Sequence, residues 1–239
     1  MSVAFARSAE VYDAIYAHKD YAAEAARARA LVDPGSSGRS WLEIACGTGR
    51  HIPFLLPHYD RFVGFDLAEP MVALAKQRVP RVDLGVGDMA CFDIGETFDV
   101  VSCLFGSIGY CATKQRLESA IACMARHLCL GGRLIIEPWI FAQQFVPNTP
   151  HARYVDTLEL KVVRMNTNRI ENGCAVLEFH HLVGDSRGVE HFVEHHILGL
   201  FERSDYELAF EKAGLRLTAD TAGSLMFLGV KTVRAVALA

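Results

Sequence analysis

The segment Leu42-Glu43-Ile44-Ala45-Cys46-Gly47-Thr48-Gly49-Arg50-His51 contains an apolar strand, a glycine turn and the start of a helix. Glycines allow a backbone to approach a ligand closely, and the N-terminus of a helix favours negative charge. The third glycine of the dinucleotide-binding pattern GxGxxG is missing, because Ile occupies position 52. The segment therefore predicts a ligand-binding turn beside the first strand of an α/β sheet, and it weakens the interpretation of a pyrophosphate-binding loop.

Outward from this turn, short apolar segments alternate with helical ones. The apolar segments are Trp41–Ala45, Arg61–Asp66, Val82–Val86, Phe98–Leu104 and Gly132–Glu137, and the helical ones are Pro70–Lys76 and 114–128. Near-continuous apolar strands separated by helices are typical of parallel sheets that are covered on both faces. We therefore predict an α/β fold with a doubly wound (Rossmann-like), mostly parallel sheet.

The flanks of this core follow other patterns. Residues 8–31 have a helical composition and predict an N-terminal helical lid, so we expect a chain that begins at Arg39 to fold without it. Residues 157–202 alternate in polarity between turn signals at 172–173 and 185–188, which predicts an antiparallel β insert. A helix over 204–214 with Ser204 as its N-cap, and strands over 226–230 and 232–236, complete the chain. The predicted division is 1–38 lid, 39–138 cofactor-binding core, 139–202 acceptor-side insert and 203–239 completion of the core.

Three acidic residues stand at or near the ends of predicted strands. Glu43 precedes the first glycine of the turn, Asp66 ends the second strand, and Asp88 follows the third, with Met89 beside it. A carboxylate at the end of the second strand can accept hydrogen bonds from both hydroxyls of a ribose, and Asp88 could reach an adenine amino group. Together the acids favour a ligand site over an ordinary strand-to-helix turn.

With these residues in place, the chain resembles the class I S-adenosylmethionine-dependent methyltransferases over nearly its whole length. The resemblance rests on Glu43–Gly49, Asp66, Asp88-Met89, Phe98–Ser102 and Leu130–Leu134. It implies a seven-stranded sheet in which Gly47 and Gly49 pass beneath the methionyl part of the cofactor, Asp66 holds the ribose, and Asp88 and Met89 frame the adenine. The cofactor residues that it implies are Tyr12, Tyr21, Glu43, Ala45, Gly47, Gly49, Asp66, Leu67, Met71, Asp88, Met89, Leu104 and Phe105.

A narrower resemblance is to the N,N-dimethyltransferases that act on dTDP-linked amino sugars in antibiotic biosynthesis. It rests on Tyr12–Tyr21, Phe105–Tyr110, Glu137-Pro138-Trp139 and the strand-rich insert. The resemblance implies substrate contacts from Tyr16, Ser107, Trp139 and Phe141, and a histidine near the substrate amine that His127 matches. The chain departs from the pattern twice. Only Phe5 stands where the family has a further aromatic hydroxyl, and Gly223-Ser224-Leu225-Met226 replaces a family arginine.

His127 is the predicted catalytic residue. An amine must be neutral when it attacks, and a histidine with an ordinary pKa near 6.5 could accept its proton. The alternative is a histidine that only interacts with carbonyls at a helix end. Trp139 and Phe141 have a structural alternative as well, namely core packing under the insert.

Composition narrows the class of partner. The chain of 239 residues has a formal net charge of −4 and no basic block, so we expect a small-molecule acceptor rather than nucleic acid. No apolar run approaches the roughly 18 residues that span a bilayer, no signal-peptide pattern stands at the start, and the seven cysteines are scattered. These features predict a cytoplasmic protein with reduced thiols, no membrane contact and no metal. A homodimer is a further expectation.

The insert histidines, His180-His181, His191 and His195-His196, fit the alternation of a one-sided sheet better than a metal site, and one of them could face the substrate. Three other functions stay open: an O- or C-methyltransferase for another natural-product scaffold, a nicotinamide-dependent oxidoreductase, and a protein that binds the cofactor only structurally. The missing third glycine and the extra Glu43 argue against the oxidoreductase.

Overall fold

The computed structural model describes Phe5 and residues 7–32, 40–218 and 226–232. Its strands are β1 (Ser40–Ile44), β2 (Arg61–Asp66), β3 (Asp83–Val86), β4 (Phe98–Cys103), β5 (Leu128–Ile136), β6 (His151–Asp156), β7 (Lys161–Glu171), β8 (Cys174–Asp185), β9 (Gly188–Gly199), β10 (Leu215–Thr218) and β11 (Phe227–Lys231). Its helices are α1 (Ala9–Ile15), α2 (Tyr21–Leu31), α3 (Ile52–Leu55), α4 (Glu69–Arg78), α5 (Lys114–Arg126) and α6 (Arg203–Lys212).

The larger sheet has seven strands in the order β10-β11-β5-β4-β1-β2-β3. Neighbouring strands from β5 to β3 are parallel, and β11 is antiparallel to both β5 and β10. β1 and β4 are apolar and buried along nearly their whole length, as expected for strands covered on both faces. The predicted doubly wound, mostly parallel sheet of seven strands is confirmed.

Helices cover both faces of this sheet. On one face, α5 and α6 contribute Leu117, Ile121 and Phe210 to a core that also contains Phe98 and Leu134. The start of α5 is fixed by Thr113, whose hydroxyl accepts a hydrogen bond from the Arg116 amide at 3.2 Å. On the other face, α2, α3 and α4 surround the fully buried Trp41.

The two N-terminal helices differ in burial, and this corrects the expectation of one lid over 1–38. Ala25 and Ala28 of α2 are buried in the same core as Trp41 and Ile52, so α2 is part of the core. Only α1 has the position of a lid. Its Val11 and Ile15 pack against Val162 of β7, and its Ala9 packs against α4.

The insert forms a separate antiparallel sheet of four strands in the order β6-β7-β8-β9, which confirms the prediction for this region. Because side chains alternate along each strand, the sheet has two distinct faces. The inner face, toward α1, carries Arg164, Phe179, His181, Glu194 and His196. The outer face carries exposed side chains that include Met165, His180, His191, Val193 and His195.

The start of α6 differs from the prediction. Its N-cap is Glu202, not Ser204, because the Glu202 amide donates to the Asp205 carboxylate at 2.9 Å one turn later. Residues 223–225, where a family arginine is replaced, and residues 233–236 of the last predicted strand lie outside the described residues. Within the described part of the chain, no helix is both long and apolar enough to cross a membrane.

Candidate active site

A cavity that opens to solvent, with a volume of about 970 Å³ including its open mouth, lies where β1, β2 and β4 end. Its floor is the turn after β1, in which Ala45 and Gly47 both have a positive φ of 55°. A Cβ added to Gly47 would meet no atom within 4 Å, so the turn leaves space in which a ligand can approach the backbone.

Asp66 closes one side of the turn. Its Oδ2 accepts a hydrogen bond from the Gly47 amide at 2.9 Å, and its Oδ1 accepts one from the Ala68 amide at 2.8 Å. Burial raises the pKa of Asp66, although these amides oppose the effect. A carboxylate has about four acceptor positions, so two remain for hydroxyls of a ligand.

A buried charge network stands on the other side. His51 lies between two carboxylates, with Nε2 at 3.0 Å from Glu24 Oε2 and Nδ1 at 3.5 Å from Glu43 Oε1. Burial alone would lower the pKa of His51, but hydrogen bonds to Glu24 and Glu43 raise it to about 9. Lys19 Nζ also pairs with Glu24, at 2.8 Å, so both charges of Glu24 and His51 are matched and Glu43 is the group that can receive a cationic ligand group at this end.

Two buried polar atoms of the cavity have no hydrogen-bond partner among the described residues, namely Glu43 Oε2 and Tyr21 Oη. Unpaired buried groups are costly, so their place in a cavity wall indicates a ligand that completes them. The Arg50 guanidinium stands 4.8 Å from the centre of the Tyr21 ring and lines the same wall. The Glu43 oxygen can accept hydrogen bonds from the ammonium of a methionyl group, and the Arg50 cation can pair with its carboxylate.

Aromatic rings cover the cavity from the lid side. The centres of the Tyr12 ring, in α1, and of the Tyr16 ring, directly after α1, lie 4.6 Å apart. Tyr16 and Phe105 pack edge to face, with 5.3 Å between their ring centres. Glu137 holds the Phe105 loop, since its Oε2 accepts the Phe105 amide at 2.6 Å. Ring faces attract cations, and the Lys19 Nζ atom already lies 3.2 Å from the centre of the Phe105 ring, so this cover suits a sulfonium or an ammonium.

The cavity brings together most of the predicted site residues. Those that line it are Tyr12, Tyr16, Tyr21, Glu43, Ala45, Gly47, Asp66, Met71, Leu104, Phe105, Ser107 and Trp139. Gly49, Leu67, Asp88, Met89 and Phe141 are not among the lining residues.

Each of these five has another environment. Gly49 has a positive φ of 73° and lies against α4, where a Cβ would meet Ala75 at 3.2 Å. Leu67 is half exposed, and Met89 lies at the edge of the core. Asp88 accepts two hydrogen bonds from Arg116, at 3.0 and 2.9 Å.

Phe141 packs with Tyr206 and Phe227 in the core. This is the structural alternative considered above for that residue. For Trp139, which lines the cavity, the substrate-side interpretation stays a prediction.

The structure corrects the placement of His127. Its carbonyl accepts the Phe98 amide at 2.8 Å, so it lies where β4 begins, at the edge of the sheet opposite the cavity. The ring is 4% exposed, stacks on Phe92 at 4.3 Å and contacts the Cys123 carbonyl through Nδ1 at 2.9 Å. Nε2 accepts the Ile94 amide at 3.3 Å. His127 is therefore a buried structural residue and not the acceptor-side histidine.

Sequence reasoning missed other lining residues. They are Phe5, Cys46, Thr48, Arg50, His51, Gly106, Tyr110, Leu177, Phe179 and Leu198. Arg50 and His51 directly follow the glycine turn, so proximity to that turn was a usable signal. The insert residues carry no local signal, because only packing of the insert against the core brings them to the cavity.

The insert histidines divide between the two faces of their sheet. His181 and His196 are buried on the inner face, whereas His180, His191 and His195 are exposed on the outer one. In the described part of the chain, no group of three or more metal-ligating side chains could hold a metal ion.

Comparisons with known proteins agree with this geometry. A family model described as a methyltransferase domain matches residues 42–132. The dTDP-3-amino-3,4,6-trideoxy-alpha-D-glucopyranose N,N-dimethyltransferase of Streptomyces venezuelae is 37% identical over 229 residues, which cover 93% of this chain and 97% of the relative.

Solved structures resemble the whole chain. DesVI of Streptomyces venezuelae superposes with a TM-score of 0.87 at 34% identity, over 97% of this chain and 100% of its own. CalS10 of Micromonospora echinaspora is an amino pentose methyltransferase solved with S-adenosylmethionine bound. It superposes with a TM-score of 0.80 at 30% identity, over 97% of this chain and 99% of its own. These likenesses decide against the nicotinamide-dependent oxidoreductase.

Proposed function

Since this chain belongs to the family of the dTDP-amino-sugar N,N-dimethyltransferases and is an S-adenosylmethionine-dependent methyltransferase, we propose that it methylates the amino nitrogen of a nucleotide-linked sugar. The observation that carries the proposal is the cavity at the strand ends, where the open glycine turn, spare acceptor positions on Asp66 and an unpaired Glu43 oxygen occur together.

The cofactor residues follow from that cavity. We propose that Asp66 accepts the ribose hydroxyls, that Glu43 and Tyr21 contact the methionyl ammonium, and that Arg50 contacts the carboxylate. Gly47 leaves room for this end of the cofactor. We also propose that Asp88 and Met89 lie beside the adenine, with Leu67 next to them. When bound, S-adenosylmethionine supplies an electrophilic methyl group on a sulfonium.

The acceptor would enter between α1, the loop after β4 and the insert. Tyr16, Ser107 and Trp139 line the cavity there and are proposed to fix the sugar ring. Transfer between two small molecules gains most from orientation, because holding reactants in place can supply on the order of 7 kcal/mol or more. The hydrogen bond from the Phe105 amide to Glu137, which fixes the loop after β4, supports such a role.

The test is turnover with defined acceptors. The protein is incubated with labelled S-adenosylmethionine and dTDP sugars that carry an amino group at C3 or C4, and the products are analysed by mass. One or two added methyl groups on an amino sugar are expected, and none on the matched hydroxy sugars. Transfer to the hydroxy sugars alone would show an O-methyltransferase and overturn the proposal.

We further propose a cytoplasmic homodimer. The outer face of the insert sheet exposes Met165, Leu182, Val193 and Ile197, an apolar group that a second copy could cover. All seven cysteines are free thiols, which suits a reducing compartment. Light scattering after gel filtration tests the dimer. A monomer mass, or a dimer unaffected by Ile197→Glu, would contradict the proposed interface.

A further inference from the structure

Tyr110 is a cavity residue whose hydroxyl has one strong partner. It belongs to the short 3-10 turn Ser107–Cys111 after β4 and lines the cavity beside Leu104 and Phe105. The Tyr110 Oη atom lies 2.6 Å from Nδ1 of His196, which stands on the inner face of the insert sheet. The contact joins the core to the insert at the acceptor side of the cavity.

The direction of this hydrogen bond follows from the charges around it. Burial, together with Tyr16, Asp66 and Glu194, raises the pKa of Tyr110 well above its usual value, and Arg164 only partly opposes this. The hydroxyl therefore keeps its proton and donates it to Nδ1 of His196. In that arrangement the His196 proton lies on Nε2, and a lone pair on Tyr110 Oη stays available to a group in the cavity.

Glu194 stands behind His196. Its Oε2 is 3.6 Å from Nε2 of His196 and 3.8 Å from Nε2 of His181. The carboxylate accepts the Ser8 hydroxyl at 2.6 Å and the amides of Arg7 and Ser8 at 2.9 and 3.1 Å. Burial opposes ionisation, but the nearby His196 ring and the hydrogen bonds from Ser8 and Arg7 lower the pKa of Glu194 to about 2. The Glu194 carboxylate is thus a fixed anion that faces Nε2 of His196.

This cluster is incompletely hydrogen-bonded. Among the described residues, six buried side-chain polar atoms lack a partner, and four of them are Arg164 Nε, both His181 nitrogens and His196 Nε2. All four belong to residues that surround one small cavity, which has room for about one water molecule. A wholly structural network would satisfy its members, so this arrangement points to groups that exchange a proton or bind a polar ligand.

We propose that Tyr110 and His196 form a proton relay that deprotonates the acceptor amine before each methyl transfer. This proposal rests on the proposed function. The substrate ammonium gives its N–H proton to Tyr110 Oη while the Tyr110 proton passes to Nδ1 of His196, so tyrosine stays neutral and His196 becomes an imidazolium facing Glu194. The freed nitrogen lone pair then forms the N–CH₃ bond, and the C–S electron pair stays on sulfur.

A relay is needed because an alkylamine is mostly protonated at neutral pH. The lysine side chain, with a pKa near 10.4, is neutral in only roughly one molecule in a thousand or fewer at pH 7. An ammonium has no lone pair and cannot attack. Nδ1 of His196 already accepts the Tyr110 hydroxyl, so it is the position to which the proton can pass.

The first test is the pH dependence of kcat/KM in Tyr110→Phe and His196→Asn. We expect both to lose about 10²-fold at pH 7 and to approach the wild type near pH 10, where roughly three in ten of the free amine molecules are already neutral. S-adenosylmethionine affinity, measured by calorimetry, should stay within twofold. Tyr154→Phe and His151→Asn, at exposed positions on β6, are the matched controls and should behave as the wild type. A defect equal at all pH values, or no defect, would overturn the relay.

A second measurement does not depend on the acceptor. Nitrogen-15 NMR of the histidines with S-adenosylhomocysteine bound should show Nδ1 of His196 unprotonated, with a resonance that shifts in Tyr110→Phe but not in Tyr154→Phe. A proton on Nδ1 would refute the relay even if amino sugars are methylated. If the NMR result holds and no amino sugar is methylated, the proposed function fails instead.

Discussion

His51 shows how one side chain can serve the fold and the site together. It follows the glycine turn directly, is buried, and is held between Glu24 of α2 and Glu43 of β1. Its charge allows Glu43 to stay buried with one oxygen free. The same residue thus joins α2 to the ligand site.

The His51 charge makes stability depend on pH. The folded pKa of about 9 lies above the unfolded value near 6.5, so the contribution is complete below pH 6.5 and is lost as the pH rises through 9. We expect the wild type to exceed His51→Gln in free energy of unfolding at pH 6, and the difference to shrink by pH 9.5. Urea unfolding of the cofactor-free protein at each pH measures this difference in free energy, and His151→Gln, at an exposed position, is the control. A difference that does not vary with pH would contradict the assignment.

His127 should matter for stability and not for turnover. His127→Asn removes the contact with the Cys123 carbonyl, the acceptor of the Ile94 amide and the stacking on Phe92. The loss of buried hydrogen bonds costs about 1–3 kcal/mol, or roughly 2–10 °C in Tm for a chain of this size. Calorimetric melting and kcat are the two readouts. An unchanged Tm with a large fall in kcat would restore a catalytic role.

Among the elements, α1 and α2 differ in what they cover. α2 buries Ala25 and Ala28 against the core around Trp41, and its start is capped by Asp20, which accepts the Ala23 amide at 2.9 Å. α1 contacts the core through Ala9 and through Asp13, which accepts the Thr48 hydroxyl at 2.6 Å and pairs with Arg78, and its Val11 and Ile15 rest on the insert. The boundary between lid and core therefore lies between the two helices.

A chain that begins at Asp20 should fold but should bind its substrates poorly. A chain that begins at Arg39 should be strongly destabilised. The first loses Tyr12 and Tyr16 over the cavity, so kcat/KM should fall about 10²-fold or more through lost positioning. The second also removes the α2 side chains that cover Trp41. The two shortened chains are compared by their Tm, from thermal unfolding followed by circular dichroism, and by their kcat/KM. Normal turnover by the chain from Asp20 would show that α1 is not a lid.

At the scale of the whole molecule, the cavity lies between the two sheets, with its floor from the seven-stranded sheet and one wall from the insert. A ligand there contacts both units and α1. Binding to the folded state alone should therefore stabilise the entire chain rather than one part of it.

S-adenosylmethionine should raise the Tm of the wild type. At a concentration one hundred times its Kd, the gain is about 2.7 kcal/mol, or roughly 5–10 °C. NADH at the same concentration should have no effect, and Asp66→Ala should lose most of the shift because the ribose partner is gone. Differential scanning calorimetry provides the measurement. An equal shift in Asp66→Ala would place the ribose elsewhere.

The sequence determined the features that depend on local pattern. Strand and helix order follows from apolar periodicity, and the glycine turn with Glu43 and Asp66 marks the ligand edge, because the carboxyl ends of parallel strands lie together. The same rule could have placed His127 correctly. A residue that precedes a strand lies at the opposite edge from the residues that follow one, and Ser107 and Tyr110 follow β4.

Only the tertiary structure decided which side chains meet across long separations. Tyr110 and His196 are 86 positions apart, and their contact exists because the insert packs its inner face over the loop after β4. The burial of α2 and the assignment of His181 and His196 to the inner face depend on the same packing. Local periodicity shows which residues share a face, but it does not show what that face will cover, because that is set by the three-dimensional fit of elements distant in sequence.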